Sequence, residues 1–252
     1  MQRATKIILF FYSVYVLITF ILVMLLFFPF IMLALLFGKF KGGNIIYKLC
    51  KKWARTWYFF IGIKHHEIYE APHATDKQYV FVANHISYMD IPPIVAGIHQ
   101  PFRILGKAEM SNVPIFGWIY RAAVILVDRT TMKGRVKSIR NLKAALKNGL
   151  SIFIFPEGTF NETKMPLKKF YDGAFRMAIE TQTPIKPVLF VDTIKRMHYR
   201  SLFEVTPGLN RVVYLEEIAV EGLTLDNLTA LKNQVYNIME EGLKRYIQYP
   251  TP

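Results

Sequence analysis

Tyr79-Val80-Phe81-Val82-Ala83-Asn84-His85-Ile86-Ser87-Tyr88-Met89-Asp90-Ile91-Pro92-Pro93 is the stretch that decides how this chain folds. Residues 79–83 form a short apolar run of strand length, rich in aromatic and β-branched side chains. Apolar residues at every position suit a strand covered on both faces, as in a parallel sheet flanked by helices. The run stops at Asn84-His85, which puts an imidazole at the carboxyl edge of the sheet, where open α/β sheets bind ligands. Asp90, five residues on, can fold back to accept a hydrogen bond from one ring nitrogen. That would fix the tautomer and leave the other nitrogen basic enough to deprotonate a hydroxyl. Taken alone the pair is a weak signal, since a His and an Asp at this spacing are more often structural than catalytic.

Further runs of the same kind lie at 102–106, 124–128, 151–155, 185–191 and 211–215. Between them the spacing predicts helices near 90–99, 111–122, 132–148, 172–182 and 224–246. In 132–148, Val136, Ile139, Leu142 and Leu146 form the expected buried stripe, with Arg135, Lys137, Arg140, Lys143 and Lys147 outside it. Alternation of strand and helix predicts an α/β domain with a mostly parallel central sheet flanked by helices, over 67–252. No internal repeat and no flexible linker interrupts it.

The chain has 252 residues, 52% of them hydrophobic, with 32 Lys and Arg against 18 Asp and Glu, a net charge of +14. Such a chain is neither intrinsically disordered nor, with Cys50 as its one cysteine, a disulfide-built scaffold. Nine of the fourteen net charges precede Glu67, the first acidic residue. The same quarter holds residues 7–38, which carry no charge. As one helix they would reach ~48 Å at ~1.5 Å per residue, against a hydrocarbon core of ~30 Å. Pro29 offers a break, giving a crossing over 7–28 and a shorter helix over 30–37; a kinked span or a hairpin dipping into one leaflet are the alternatives. Residues 44–61 follow as an amphipathic interfacial helix, with Ile45, Leu49, Trp53, Trp57 and Phe60 opposite Lys48, Lys51, Lys52 and Arg55. Residues 1–66 are thus expected to form a membrane-binding segment, an N-terminal membrane helix or helical hairpin followed by the interfacial helix. Two basic residues precede the apolar stretch and seven follow it before Glu67. The positive-inside rule then places the remainder in the cytoplasm, on the inner (cytoplasmic) membrane.

Other expected strand ends also carry reactive residues. Lys107 follows 102–106, Arg129 follows 124–128, and Phe155-Pro156-Glu157-Gly158-Thr159 closes 151–155. His, Lys, Arg and Glu gathered along one sheet edge are harder to dismiss than any one of them. Asn84-His85 with Asp90, Lys107 with Pro114, Gly117 and Arg129, Pro156-Glu157-Gly158-Thr159, and Ile185-Lys186-Pro187-Val188 resemble the four ordered blocks of the glycerolipid acyltransferase family. The best-known members are 1-acylglycerol-3-phosphate acyltransferases, and the resemblance covers about 79–190.

The resemblance implies that His85 and Asp90 activate an acceptor hydroxyl to attack an acyl thioester directly, without an acyl-enzyme. It implies an acyl donor that is acyl-CoA or acyl carrier protein, no further cofactor, and a lysophospholipid acceptor. The expected reaction acylates the free sn-2 hydroxyl of 1-acylglycerol-3-phosphate to phosphatidic acid. Glu157 would position the acceptor, and Lys107, Arg129, Gly158, Thr159 and Lys168 would bind it. Two departures stand out. Phe160 occupies the place where the family commonly has Arg, which removes a bidentate phosphate donor. Ala122-Ala123 replaces a glycine before the next strand. An O-acyltransferase for a non-phosphate lysolipid is the alternative, and a thioester hydrolase a weaker one. Ser87 reads as a turn residue, His65, His66, Glu70 and His73 match no standard metal spacing, and no base-reading motif points to nucleic acid. The acid-free basic run from Arg129 to Pro156 reads equally as a docking face for an acidic donor or as a solvated helix side.

Overall fold

The computed structural model describes residues 3–127 and 132–248. Its strands are β1 (Ile63–Tyr69), β2 (Val80–Ala83), β3 (Phe102–Lys107), β4 (Val124–Val127), β5 (Ser151–Ile154), β6 (Ile185–Phe190) and β7 (Gly208–Tyr214). Its helices are α1 (Arg3–Leu35), α2 (Gly43–Phe60), α3 (Ile91–Gly97), α4 (Phe116–Ala123), α5 (Met132–Lys147), α6 (Gly173–Thr181), α7 (Thr193–Arg196) and α8 (Leu228–Gln248). The strands form one mostly parallel sheet in the order β1-β7-β6-β2-β5-β3-β4. The expected α/β fold with an apolar helix before it is therefore present. β1 has no counterpart in the expected strands, because its polar Lys64-His65-His66-Glu67 hides the alternation. The expected boundary between 66 and 67 falls inside it.

Contacts divide the chain into two compact units. The first runs up to Ile68 and adds His85–Gly97 and Phe190–Val213. α1 in this unit is one helix of 33 residues, and Pro29 lies inside it instead of ending it. A proline in a helix removes one backbone hydrogen bond and crowds the carbonyl four residues earlier. Apolar surroundings soften that cost, since the other backbone groups have no water to bond instead. The turn comes later, at Gly38 in the left-handed region (φ 77°) and at Gly42, where a Cβ would stand 2.3 Å from Ala34 O.

α2 then returns antiparallel along α1. Trp57 Nε1 donates to Val16 O at 3.3 Å, Tyr15 Oη donates to Phe60 O at 2.9 Å, and Tyr12 Oη donates to Ile61 O. Phe20 sits edge-on to both Trp53 and Trp57, each at a centroid distance of 5.2 Å. The tryptophans expected to face headgroups instead pack on α1, while Ile45 and Phe60 from the same expected stripe are exposed. The sequence period reports that a stripe exists; the aromatic side of α1 decides which part of it is covered. Outward, α1 exposes Phe11, Leu22, Leu26 and Leu33, and Thr5–Leu35 is long and apolar enough to cross a membrane.

The second unit comprises Tyr69–Asn84, Ile98–Leu189 and Tyr214 onward. It contains strands β2 to β5 and, up to Leu189, β6. β2 lies between β6 and β5, with Val82 opposite Pro187 on one side and Ile154 on the other. β3 pairs β5 and β4, bringing Ile104 opposite Phe153 and Val124. α5 buries Ser138, Leu142, Ala145 and Leu146, whereas Val136 and Ile139 are 60% and 42% exposed. The expected stripe is thus rotated. Ser138 Oγ, between Gly134 O of its own helix at 2.8 Å and Leu126 O of β4 at 3.2 Å, marks the face that turns inward.

Truncating the buried Trp57 to Ala should cost about 3–5 kcal/mol and lower the apparent Tm in detergent by roughly 10 °C. Phe59→Ala, two residues along the helix and 80% exposed, should shift it little. Thermal unfolding of both variants checks the packing of the hairpin.

Candidate active site

β2, β5 and β3 are adjacent parallel strands, so their carboxyl ends lie on one edge of the sheet. His85 stands two residues beyond the end of β2, Glu157 three beyond the end of β5, and Lys107 is the last residue of β3.

The turn after β2 is built by reciprocal capping. Ser87, in extended backbone, accepts from Met89 N at 2.9 Å through its hydroxyl. Asp90 Oδ2 reaches back to accept from Ser87 N at 2.9 Å and Ile86 N at 2.8 Å. The same oxygen meets His85 Nδ1 at 2.8 Å. Asp90 is fully buried, and an ionised carboxylate only accepts, so Nδ1 must carry the proton. Base chemistry in the neutral imidazole then falls to Nε2. The His85 side chain is 17% exposed, open enough to meet a ligand. Ser87 Oγ donates to Met197 O at 2.5 Å and is buried, so it serves the turn and has no nucleophile's geometry. Met197 carries no sequence signal for this role; only the fold brings it to residue 87.

The turn after β5 is set by Gly158 at φ 75°, a left-handed conformation that favours glycine, closed by Gly158 N donating to Phe155 O at 3.1 Å. Glu157 is buried, and its Oε2 accepts from Lys168 N at 2.8 Å. One oxygen of this carboxylate thus holds its own loop. Lys168 Nζ in turn donates to exposed Thr159 Oγ1 at 2.8 Å. The rest of 156–171 is stitched by Tyr171 N to Pro156 O at 2.9 Å and by Asn161, which accepts from Thr163 N and donates to Met165 O. Phe160 is half-buried.

Lys107 is exposed at the end of β3. Before it, Gly106 is required by close approach, since a Cβ there would stand 2.1 Å from the Tyr120 hydroxyl. Arg129 lies outside the described residues. Among the described residues no group of three or more His, Cys, Asp or Glu is placed to hold a metal ion. His65 pairs with Glu67 at 3.2 Å and His73 with Gln100 at 3.3 Å.

A residue pair absent from the sequence reading supports the first turn from behind. Arg211 grips Asp192 through Nε to Oδ2 at 2.7 Å and Nη2 to Oδ1 at 2.8 Å. Burial alone would raise the Asp192 carboxyl, but the bonds from Arg211 outweigh it and hold it below the usual range. Asp192 precedes α7, and Met197 follows it, so the pair also fixes the carbonyl that Ser87 uses.

These features agree with relatives. The family model described as Acyltransferase matches residues 62–191, which include all four strand-end blocks. An uncharacterized acyltransferase of Schizosaccharomyces pombe is 28% identical over 182 residues, 69% of this chain and 63% of that protein. The 1-acyl-sn-glycerol-3-phosphate acyltransferase BAT2, chloroplastic, of Brassica napus is 30% identical over 125 residues, 49% of this chain and 36% of its own. The 1-acyl-sn-glycerol-3-phosphate acyltransferase alpha of Homo sapiens is 27% identical over 180 residues, 69% and 62%. The chain therefore spans about one third to just under two thirds of the length of these relatives. The crystal structure of the 1-acyl-sn-glycerophosphate (LPA) acyltransferase PlsC from Thermotoga maritima shares the fold, with a TM-score of 0.75 at 21% identity and 100% of both chains covered. With its His-x4-Asp turn, its Pro-Glu-Gly-Thr turn and half of its length inside the family match, the chain belongs to the acyltransferase family.

Proposed function

We propose that this acyltransferase moves a fatty acyl group from acyl-CoA or acyl carrier protein to the sn-2 hydroxyl of 1-acylglycerol-3-phosphate, forming phosphatidic acid. The observation that carries the reading is His85 Nδ1 held on the buried Asp90 at 2.8 Å. His85 Nε2 takes the hydroxyl proton as the oxygen attacks the thioester carbonyl; the new C–O bond forms and the C–S bond breaks. The imidazolium returns its proton to the departing thiolate. Asp90, its Oδ2 bonded to three N–H groups, stays ionised and stabilises the imidazolium without taking the proton itself. No acyl-enzyme and no cofactor are required, since the donor is already an activated ester.

The names of the curated relatives support the phosphate-bearing acceptor. So does Lys168, whose ammonium lies on Thr159 where Phe160 leaves no arginine. Glu157 holds the backbone of Lys168 and thereby its cation at the turn. In this reading Lys168, Lys107 and Arg129 bind the acceptor's phosphate, with Gly158 and Thr159 shaping the turn. Phe160 favours a second reading, an uncharged or amino-acid-headed lysolipid acceptor. The apolar exterior of α1 keeps the acceptor and product in lipid, and the basic bias after residue 38 favours the cytoplasmic face of the inner membrane. For the donor, the exposed side of α5 presents Lys133, Lys137, Arg140 and Lys147, which suits CoA phosphates or an acidic carrier.

Acyl transfer by the full chain in mixed micelles tests the reading. His85→Ala should reduce transfer to lysophosphatidic acid at least about 10³-fold, and Asp90→Asn by a comparable factor through the wrong tautomer. Ser87→Ala should stay within about tenfold, whereas a serine nucleophile would make it as inactive as His85→Ala. Lys168→Ala should raise KM for lysophosphatidic acid about tenfold, the loss of one charge-assisted bond, and leave an uncharged lysolipid unaffected. Transfer only to the uncharged acceptor would overturn the phosphate reading.

A second measurement concerns the donor. Lys137→Glu with Arg140→Glu should raise the donor KM several-fold at low salt and less at high salt. An unchanged donor KM makes that face a merely solvated one.

A further inference from the structure

The turn that carries His85 and Asp90 shares its hydrophobic core with the membrane hairpin. Met89, next to Asp90, is buried in one cluster with Val16 and Val23 of α1 and Trp57 and Tyr58 of α2. Arg55 of α2 donates to Ala96 O in α3, the helix that starts directly after Asp90, at 3.4 Å. Three of the buried polar groups of this unit belong to Asp90, Asn210 and Tyr58. Asp90 Oδ1 and Asn210 Oδ1 are buried and accept no hydrogen bond among the described residues. The buried Tyr58 hydroxyl accepts from Asn210 Nδ2 at 3.3 Å, which leaves its own proton to be donated. Burial first, and then the negative charge of Asp90, hold the Tyr58 phenol well above its ordinary value. It therefore stays protonated, and the carboxylate lies within its electrostatic reach.

A buried carboxylate oxygen without a protein partner is costly, and so is a buried phenol proton without an acceptor. Each is the remedy for the other. We propose that Tyr58, carried by the membrane hairpin, is a positioning residue for the catalytic pair, its hydroxyl serving Asp90 Oδ1 while His85 and two backbone amides serve Oδ2. The hairpin then does two jobs: its outer face meets lipid, and its inner face holds the general base's partner in register. This rests on the reading of His85 and Asp90 as the catalytic pair.

The test uses the purified full chain in dodecylmaltoside micelles with oleoyl-CoA and 1-oleoyl lysophosphatidic acid. Tyr58→Phe should lower kcat about tenfold, with both KM values within twofold and Tm within a few degrees. Asn210→Ala, which removes the group orienting the hydroxyl, should show the same split. Trp57→Phe keeps the hydroxyl and should lower Tm with kcat near wild type. Leu22→Asn with Leu26→Asn, on the exposed side of α1, should weaken flotation with lipid vesicles and leave kcat in micelles unchanged. Wild-type kcat in Tyr58→Phe overturns the proposal, as does a kcat loss in Trp57→Phe equal to that of Tyr58→Phe. Transfer that survives in His85→Ala would instead remove the reading of the pair, whatever Tyr58→Phe does.

Discussion

A single carboxylate oxygen, Asp90 Oδ2, accepts from the imidazole of His85 and from the amides of Ile86 and Ser87. A buried charge is tolerated only where bonds of this kind replace its water. Here they also dictate the chemistry, because an acceptor-only group at Nδ1 leaves the basic lone pair on Nε2. Oδ2 is fixed only if the turn from 85 to 90 is fixed. That turn depends in sequence on the end of β2, and in space on Ser87 reaching Met197 O.

Much of this was legible beforehand, and the reason is local. Strands β2 and β5 announce themselves because they are buried throughout and read as short apolar runs, and β3 and β6 stay recognisable although Arg103 and Lys186 interrupt them. Reactive residues at those ends are then a property of sequence position alone. β1 was not legible, since Lys64-His65-His66-Glu67 belongs to a sheet-edge strand that is only partly covered. The faces of α2 and α5 were half legible. Spacing shows that Trp53 and Trp57, or Val136 and Ile139, share a side with other apolar residues. Which neighbour covers that side depends on Phe20 in one case and is marked by Ser138 beside Leu126 in the other.

The turn after β5 shows the same limit inside the site. Residue identity was readable; the backbone partner was not. Glu157 stands at the expected strand end, and its Oε2 accepts from the amide of Lys168, eleven residues on. The cation on that same residue returns to Thr159. One lysine thus uses its backbone to anchor the glutamate and its side chain to charge the turn, a division that only three-dimensional proximity creates. Beside the apolar Phe160, the fold brings an ammonium to Thr159.

The buried Asp192–Arg211 pair completes the logic by which apolar packing and polar geometry are joined. A buried ion pair is weak as a source of stability, because desolvating both partners offsets most of their attraction. What it provides is directional: two parallel bonds allow one relative placement of the residues before α7 and of β7. From Asp192 the chain makes one short helix to Met197, whose carbonyl takes the Ser87 hydroxyl, and Ser87 caps the turn whose Asp90 orients His85. The apolar cluster of the hairpin takes in Met89 and Met197, which flank these bonds, and leaving any one of the bonds unmade would cost the desolvation of its partner. The placement of the His85 imidazole is therefore inherited through a chain of polar contacts, each made where burial leaves no easy alternative partner.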